Sequence, residues 1–425
     1  MRILFVLPFI PCPPADGGSM KVFSLLKCLS PKHQCDLLCI ADETPETRPT
    51  LAADLPHVGK VMIIPPRSGW SKWLHIVWQL FRGRPPSFAR YPSRDVRALL
   101  AATELNAYDA IHYDIINMAQ YQPLARFVAS VHSPNDATSN VYWRRARASE
   151  TVIGWVRLFS AALLLRRYEQ RHYRDFSWIH VVSEADRDYL LTLDPQINIT
   201  VIPISSGYSA QTTTTAARLR VQGPDPEGQR PTIAICGNLA DAGIAGGLAD
   251  FLDEVLPNLY RDIPGLRVCI LGRGISERML RKIQSCSGVE YAAYVEDFEA
   301  FLGAADVLLA LDRVGAPGAK TRVVQAMALG LPVVGSPTAF EGIPMMTSGI
   351  HGIVYQSSRE CASALTQLLG DKALRVRLGE SASALAAREY SLEAVAARYE
   401  ALYVSAMNSH AQLVRDACRS KPEVS

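Results

Sequence analysis

The 425-residue sequence has no C-x-x-C pair and no Cys/His cluster at zinc spacing; its nine cysteines stand singly between Cys12 and Cys418. Thiols spread in this way through a long chain read as reduced, mostly buried small apolar residues, and imply a cytoplasmic location. No basic tail or polybasic block is present, and 44 Lys and Arg against 41 Asp and Glu leave a net charge of only +3. That balance argues against a dedicated nucleic-acid partner. No apolar run reaches the roughly 18–20 residues of a membrane span. Thr151 to Leu165 is too short and contains Arg157, while Arg2 to Ile10 is broken by Pro8 and followed by Pro11, Pro13 and Pro14. The latter segment is expected to be a buried first strand rather than a signal peptide. Disordered and fibrous classes are also excluded, because 48% of residues are hydrophobic and Gly and Pro occur 27 times each. The length fits two domains, or at most three.

What is present is alternation. Apolar, β-branched runs of strand length are followed by turn residues and then by helical patterns, the arrangement of βαβ units around parallel sheets. Strands are expected at Ile3–Pro8, Cys35–Ile40, Lys60–Ile64, Ala110–Tyr113, Phe127–Val131, Ile179–Val182 and Thr200–Ile202. Helices are expected at about Ser19–Ser30, Ser93–Glu104, Ser160–Tyr173 and Glu184–Thr192. The polar stretch Ser209–Gln229, rich in Thr, Gly and Pro, has the composition of a structureless linker. Beyond it the pattern begins again, with strands at Thr232–Cys236, Arg267–Leu271, Val289–Ala292, Val307–Ala310 and Pro332–Gly335. A terminal helix over Leu392–Met407 carries apolar residues at helical spacing. The fold class is therefore α/β, with two similar doubly wound domains.

In such sheets ligands bind at the carboxyl ends of strands, and anions favour helix N-termini. Asp16-Gly17-Gly18 lies between the first strand and first helix; Gly237-Asn238 opens a loop running to Gly246-Gly247 at the corresponding place in the second half. Either loop suits a phosphate, although the glycines equally suit tight turns. Lys320 and Arg322 in Gly315-Ala-Pro-Gly-Ala-Lys-Thr-Arg322 are more informative. They open the helix Val323–Leu329, where the dipole disfavours cations, and an anionic diphosphate would resolve the conflict. Solvation of both charges is the alternative.

The segment Gly318-Ala-Lys-Thr-Arg-Val-Val-Gln-Ala-Met-Ala-Leu-Gly-Leu-Pro-Val-Val-Gly335, continued by Thr338-Ala-Phe-Glu-Gly-Ile343, resembles the donor-site signature of family 4 glycosyltransferases. Gly17-Gly18, Val131-His132-Ser133, Val181-Val-Ser-Glu184, Gly237-Asn238, Leu271-Gly-Arg273-Gly274 and Tyr390-Ser-Leu-Glu393 occur in the family's order across nearly the whole chain. The resemblance implies a GT-B fold of two facing Rossmann-like domains with the C-terminal helix returning to the first. It implies an acceptor-binding domain over 1–208 plus a helix near 390–415, a linker over 209–229, and a nucleotide-sugar domain over 230–389.

The implied activity is transfer of a sugar from a nucleotide diphosphate sugar to a hydroxyl of a glycan, lipid-linked or small-molecule acceptor, with retention. Neither a cofactor nor a metal is implied; the donor is expected to be a UDP-sugar, with GDP- or dTDP-sugars as alternatives. The D-x-D spacing of Asp186-Arg-Asp188 reads instead as a helix start. His132, Lys320 and Arg322 are the implied catalytic residues. Gly237, Asn238, Arg273, Gly318, Gln325 and Glu341 are implied on the donor, and Asp16, Gly17 and Gly18 at the acceptor or diphosphate loop. For His132 the alternative is a strand-end histidine held by neighbouring backbone. Glu341 suits either sugar hydroxyls or a helix cap.

Three departures stand out: Gln325 replaces the family's ribose-binding glutamate, Pro317 replaces an acidic residue near the donor sugar, and Ala240–Gly247 lacks the usual cation. They leave a catalytically weak or inactive GT-B binding protein as the alternative function. A sugar-nucleotide epimerase would need a set of acidic residues that the sequence does not show. Finally, Trp70-Ser-Lys-Trp-Leu-His-Ile-Val-Trp-Gln-Leu-Phe-Arg-Gly-Arg84 and the arginine-rich Trp143–Arg174 mix aromatics with cations. Peripheral contact with the inner face of a membrane is one reading, and a core-packing helix with a solvated charged face is the other.

Overall fold

The structure is a computed structural model and describes residues 1–14, 17–149, 151–222, 230–314 and 318–419. It divides into two compact units, Met1–Ile202 with Val395–Ser425, and Pro203–Ala394.

The first unit is built on seven strands: β1 (Arg2–Leu7), β2 (Gln34–Ile40), β3 (Val61–Ile64), β4 (Ala110–Asp114), β5 (Ala129–Asn135), β6 (Trp178–Val181) and β7 (Ile199–Val201). All pair in parallel in the order β3-β2-β1-β4-β5-β6-β7. Because successive side chains of a strand point to opposite faces, β1 feeds two cores at once. Leu4 and Val6 join one cluster, with Ile111 and Ile179. Ile3, Phe5 and Leu7 join the other, which is closed by Val395, Tyr399, Leu402 and Tyr403 of the terminal helix Leu392–Arg419. A continuous apolar run is what burial on both faces requires.

The second unit holds β8 (Thr232–Cys236), β9 (Arg267–Leu271), β10 (Val289–Ala292), β11 (Val307–Ala310), β12 (Val333–Gly335) and β13 (Ile353–Val354). They form a parallel sheet in the order β10-β9-β8-β11-β12-β13. Each order turns back on itself once, between β1 and β4 and between β8 and β11. Such switch points are where doubly wound sheets open a crevice at their carboxyl ends.

Several expectations are corrected. Ala210–Gln222 is a helix, not a structureless linker. Ser209 caps it by accepting from the Thr212 amide at 3.0 Å, and Ser383 of the helix Lys372–Tyr390 donates to the Thr213 carbonyl at 3.2 Å. Threonine runs are poor helix formers; packing of Thr213 and Ala216 against the second unit overrides that weakness. Residues 223–229 lie outside the described residues. The supposed loop Ala240–Gly247 becomes the helix Ala242–Asp250, capped by Asp241, which accepts from the Gly243 amide at 2.9 Å. The helix expected from Ser160 begins at Val152, with Thr151 as its cap. Gly69–Phe81 and Thr138–Arg147 are additional helices. Ser183 does cap the helix Glu184–Leu193, and Asp186 accepts from the Ala137 amide at 2.8 Å.

Candidate functional site

At the second switch point three glycine-bearing loops meet. β8 runs into Gly237, whose amide donates to the Leu271 carbonyl at 3.0 Å, and the Leu239 amide donates to the Arg273 carbonyl at 2.9 Å. The approach leaves no room for side chains. A Cβ on Gly272 would lie 2.0 Å from the Gly237 oxygen, and one on Gly237 2.9 Å from Ile244 and 3.6 Å from the Arg322 guanidinium carbon. Gly274 adopts φ +78°, a conformation that favours glycine. Across the switch point Gly342 presses on the loop before the helix Thr321–Ala328. A Cβ there would fall 1.9 Å from the Ala319 nitrogen and 2.2 Å from the Gly318 carbonyl carbon.

Arg322 lies in this crevice. Its Nη2 pairs with Asp312, which follows β11 and is 4% exposed. The Asp312 main-chain carbonyl in turn accepts from Ser336 Oγ at 2.6 Å. Arg322 Nε is also buried and has no partner among the described residues. Lys320 occupies the N-cap position of the same helix without a side-chain capping bond and donates from Nζ to the Gly318 carbonyl at 3.0 Å. The cations at this helix start are thus steadied by a carboxylate and a carbonyl, which offset the unfavourable dipole. Gln325 is largely buried on the same helix, whereas Asn238, Arg273 and Glu341 are exposed. Asn238 closes a turn by accepting from the Ala240 amide at 3.2 Å, and Arg273 lies 5.4 Å from the centre of the Tyr294 ring. Gly246 and Gly247 are packing glycines rather than loop glycines: a Cβ on Gly247 would meet the Leu311 carbonyl at 2.1 Å.

The first unit has its own polar cluster at its switch point. Gly17 and Gly18 open the helix Gly17–Leu29, whose Lys21 is buried. Lys21 Nζ bonds Asp114 at the end of β4, Ser133 Oγ at 2.9 Å and Asn135 Oδ1 at 2.5 Å. Burial alone would raise the Asp114 carboxyl, but Lys21 and His112 outweigh it and hold the group below the usual carboxylate range. His180 Nε2 donates to the Ile202 carbonyl at 2.8 Å, so Nδ1 accepts from Ser133 at 2.7 Å. Asp16 lies outside the described residues, as does Pro317.

His132 neighbours Ser133 of that cluster on β5. Its ring is fully buried, bonds the Tyr113 carbonyl from Nδ1 at 3.1 Å and stacks on Phe176 with centroids 4.7 Å apart. Burial drives its pKa down to about 3, so it is neutral at ordinary pH. Its Nε2 is buried and has no hydrogen-bond partner among the described residues.

Residues 230–371 match the family model described as Glycosyl transferases group 1. The second unit carries a group 1 glycosyltransferase domain. No curated protein matches the chain in sequence. HepE of Anabaena, solved in complex with UDP, matches 95% of this chain and 100% of its own at 14% identity and a TM-score of 0.63. Sucrose-phosphate synthase of Thermosynechococcus elongatus matches 95% of this chain and 98% of its own at 16% identity and a TM-score of 0.65. A glycosyltransferase of Rickettsia africae covers 96% and 98%, at 11% identity and a TM-score of 0.62. These likenesses establish the fold, which is GT-B.

Within the glycosyltransferase domain, the structure unites Gly237, Gly318, Lys320 and Arg322 around one helix start. It adds residues that sequence reasoning did not name as site residues. Asp312 is an acid directly after an apolar strand, a legible but unspecific signal. Gly342 was visible only as half of a Glu-Gly pair. Lys21 and Asp114, in the first unit, are 93 positions apart and carry no local signal of their pairing.

Proposed function

We propose that the chain transfers a sugar from a nucleoside diphosphate sugar, a UDP-sugar first, to a hydroxyl of a glycan, lipid-linked or small-molecule acceptor. The observation that carries this reading is Arg322: a largely buried side chain at a switch point, anchored by Asp312 through one nitrogen, with a buried Nε–H unpartnered among the described residues. A Cβ on Gly237 would come within 3.6 Å of the Arg322 guanidinium carbon. That is chemistry suited to a diphosphate. When the bond between the sugar's anomeric carbon and its phosphate oxygen breaks, the electron pair stays on the diphosphate. The acceptor oxygen bonds the anomeric carbon, and its proton passes to the departing phosphate. Arg322, Lys320 and the amides opening the helix Thr321–Ala328 would stabilise the growing negative charge. These groups would supply what a divalent ion supplies elsewhere, in keeping with the metal-independent, retaining reaction that the resemblance implies; retention requires the acceptor to attack from the face the phosphate leaves. The complexes of HepE with UDP and UDP-glucose support a uridine donor. Cysteines that form no disulfide among the described residues suit a reducing compartment, which we take to be the cytoplasm.

Thermal denaturation with UDP, GDP, dTDP and their glucose conjugates tests this directly. UDP should raise the melting temperature, and UDP-glucose should release UDP slowly in water and faster with acceptor. Absence of any nucleotide shift overturns the reading. Binding with no release of UDP under any condition would leave a sugar-nucleotide binding protein instead, the outcome for which Gln325 is the motive.

A further inference from the structure

The helix Gly69–Phe81 is folded inside out. Trp70, Trp73, Leu74, Val77, Trp78 and Phe81 follow one another at i, i+3, i+4, i+7, i+8 and i+11, the stripe that a surface helix normally turns to the core. All six are exposed: Trp70 at 86%, Trp73 at 66% and Phe81 at 88%. The face turned inward carries His75, Ile76 and Gln79, of which only the polar Gln79 is buried. No neighbouring element of the described residues covers the apolar stripe, and a run of large apolar side chains left in water needs a partner.

Charge says which partner. From Leu55 through Arg94 there is no Asp or Glu, while Lys60, Arg67, Lys72, Arg82, Arg84, Arg90 and Arg94 are all cationic. Arg82 borders the stripe and lies 4.6 Å from the centre of the Trp78 ring, while Lys72 is exposed on the same helix. Tryptophan and phenylalanine edged by cations match an interface where apolar chains lie beneath anionic head groups. The start of the helix Val152–His172, in the same unit, repeats the composition: Val152, Ile153, Trp155 and Val156 are exposed, followed by Arg157. No helix among the described residues is long and apolar enough to cross a membrane. Contact of this kind would lie in the plane of the surface.

We propose that the helix Gly69–Phe81 docks the chain onto an anionic lipid surface, with its Trp and Phe side chains inserted among the lipids and its Lys and Arg side chains at the head groups. The proposal concerns residues outside the glycosyltransferase domain, and its test reads no sugar transfer, so either reading can fail alone. The intact protein is sedimented with vesicles of phosphatidylcholine and with vesicles of equimolar phosphatidylcholine and phosphatidylglycerol. It should bind the anionic vesicles, and less at high salt. Trp70→Ser/Trp73→Ser/Phe81→Ser should reduce the bound fraction by about tenfold or more with an unchanged melting temperature. If that variant folds poorly, Lys72→Glu/Arg82→Glu should abolish binding to the anionic vesicles. No binding by the natural sequence at low salt, or equal binding by the substituted proteins, overturns the proposal. A dimer in solution that the triple substitution dissociates would do so too, by assigning the stripe to a second copy.

Discussion

Arg322 gives one end of its guanidinium to Asp312 and leaves its buried Nε without a partner among the described residues. Ion pairs that exist only for stability generally satisfy every buried donor, since an orphaned one costs about 1–3 kcal/mol. Asp312 holds the cation in place at the mouth of the sheet, with its own main-chain carbonyl tied to Ser336. The remaining donor is what an anionic ligand would complete.

The contact of Gly342 with Gly318 and Ala319 should be indispensable to that geometry. In Gly342→Ala the new methyl meets backbone atoms at 1.9 and 2.2 Å, and backbone cannot swing aside as a side chain tip can. The loop carrying Lys320 must move. Affinity for UDP, measured by calorimetry, should fall about tenfold or more, the scale of one charge-assisted hydrogen bond. Gly370→Ala, where no atom lies within 4 Å of the new carbon, is the control and should leave affinity unchanged. Equal affinities for the two substitutions would refute the coupling.

Lys21 and Asp114 should behave as a unit. Lys21→Met strands a fully buried carboxylate among Ser133 and His112, at a cost of about 3–5 kcal/mol, and should lower the melting temperature by many degrees. Lys21→Met/Asp114→Leu removes both charges, and a buried pair replaced by apolar groups is often nearly neutral. The double substitution should therefore melt above Lys21→Met. If it melts lower, the pair is not the unit that the hydrogen bonds describe.

Glu169 gives a pH dependence. Burial pushes its carboxyl up to about 7, against the opposing hydrogen bonds from Ser139 and with Asp186 adding to the rise. A carboxyl raised above its unfolded value binds its proton more tightly when folded. Its contribution to stability is thus fully present below about pH 4.5, the ordinary value, and is lost as pH rises through about 7. Glu169→Gln, permanently neutral, should gain melting temperature over the natural protein from pH 5 to pH 8. A difference that stays constant across that range would show that Glu169 ionises normally.

Much of this was legible in the sequence, and for a definite reason. Strands buried on both faces must be apolar throughout, so the expected Thr232–Cys236 and Val307–Ala310 coincide with β8 and β11. Cations opening a helix flagged Lys320 and Arg322 because they broke a local rule. Long-range packing was not legible. The threonine run over Ala210–Gln222 is a helix only because the helix Lys372–Tyr390 lies against it. His132 at its strand end resembled a catalytic imidazole, and nothing local revealed that Tyr173 and Phe176 would enclose it. The aromatic stripe of Gly69–Phe81 read equally well as a core-packing face, since periodicity defines a face but not the direction in which it points.

The claim at the centre is that Arg322 holds the diphosphate. Titration calorimetry of UDP and of uridine against the natural protein and Arg322→Ala tests it most directly, with melting curves confirming that the variant is folded. UDP should bind the natural protein and lose about 10- to 100-fold in affinity to the variant, while uridine, lacking the phosphates, binds both alike. Equal UDP affinity for the two proteins would contradict the assignment.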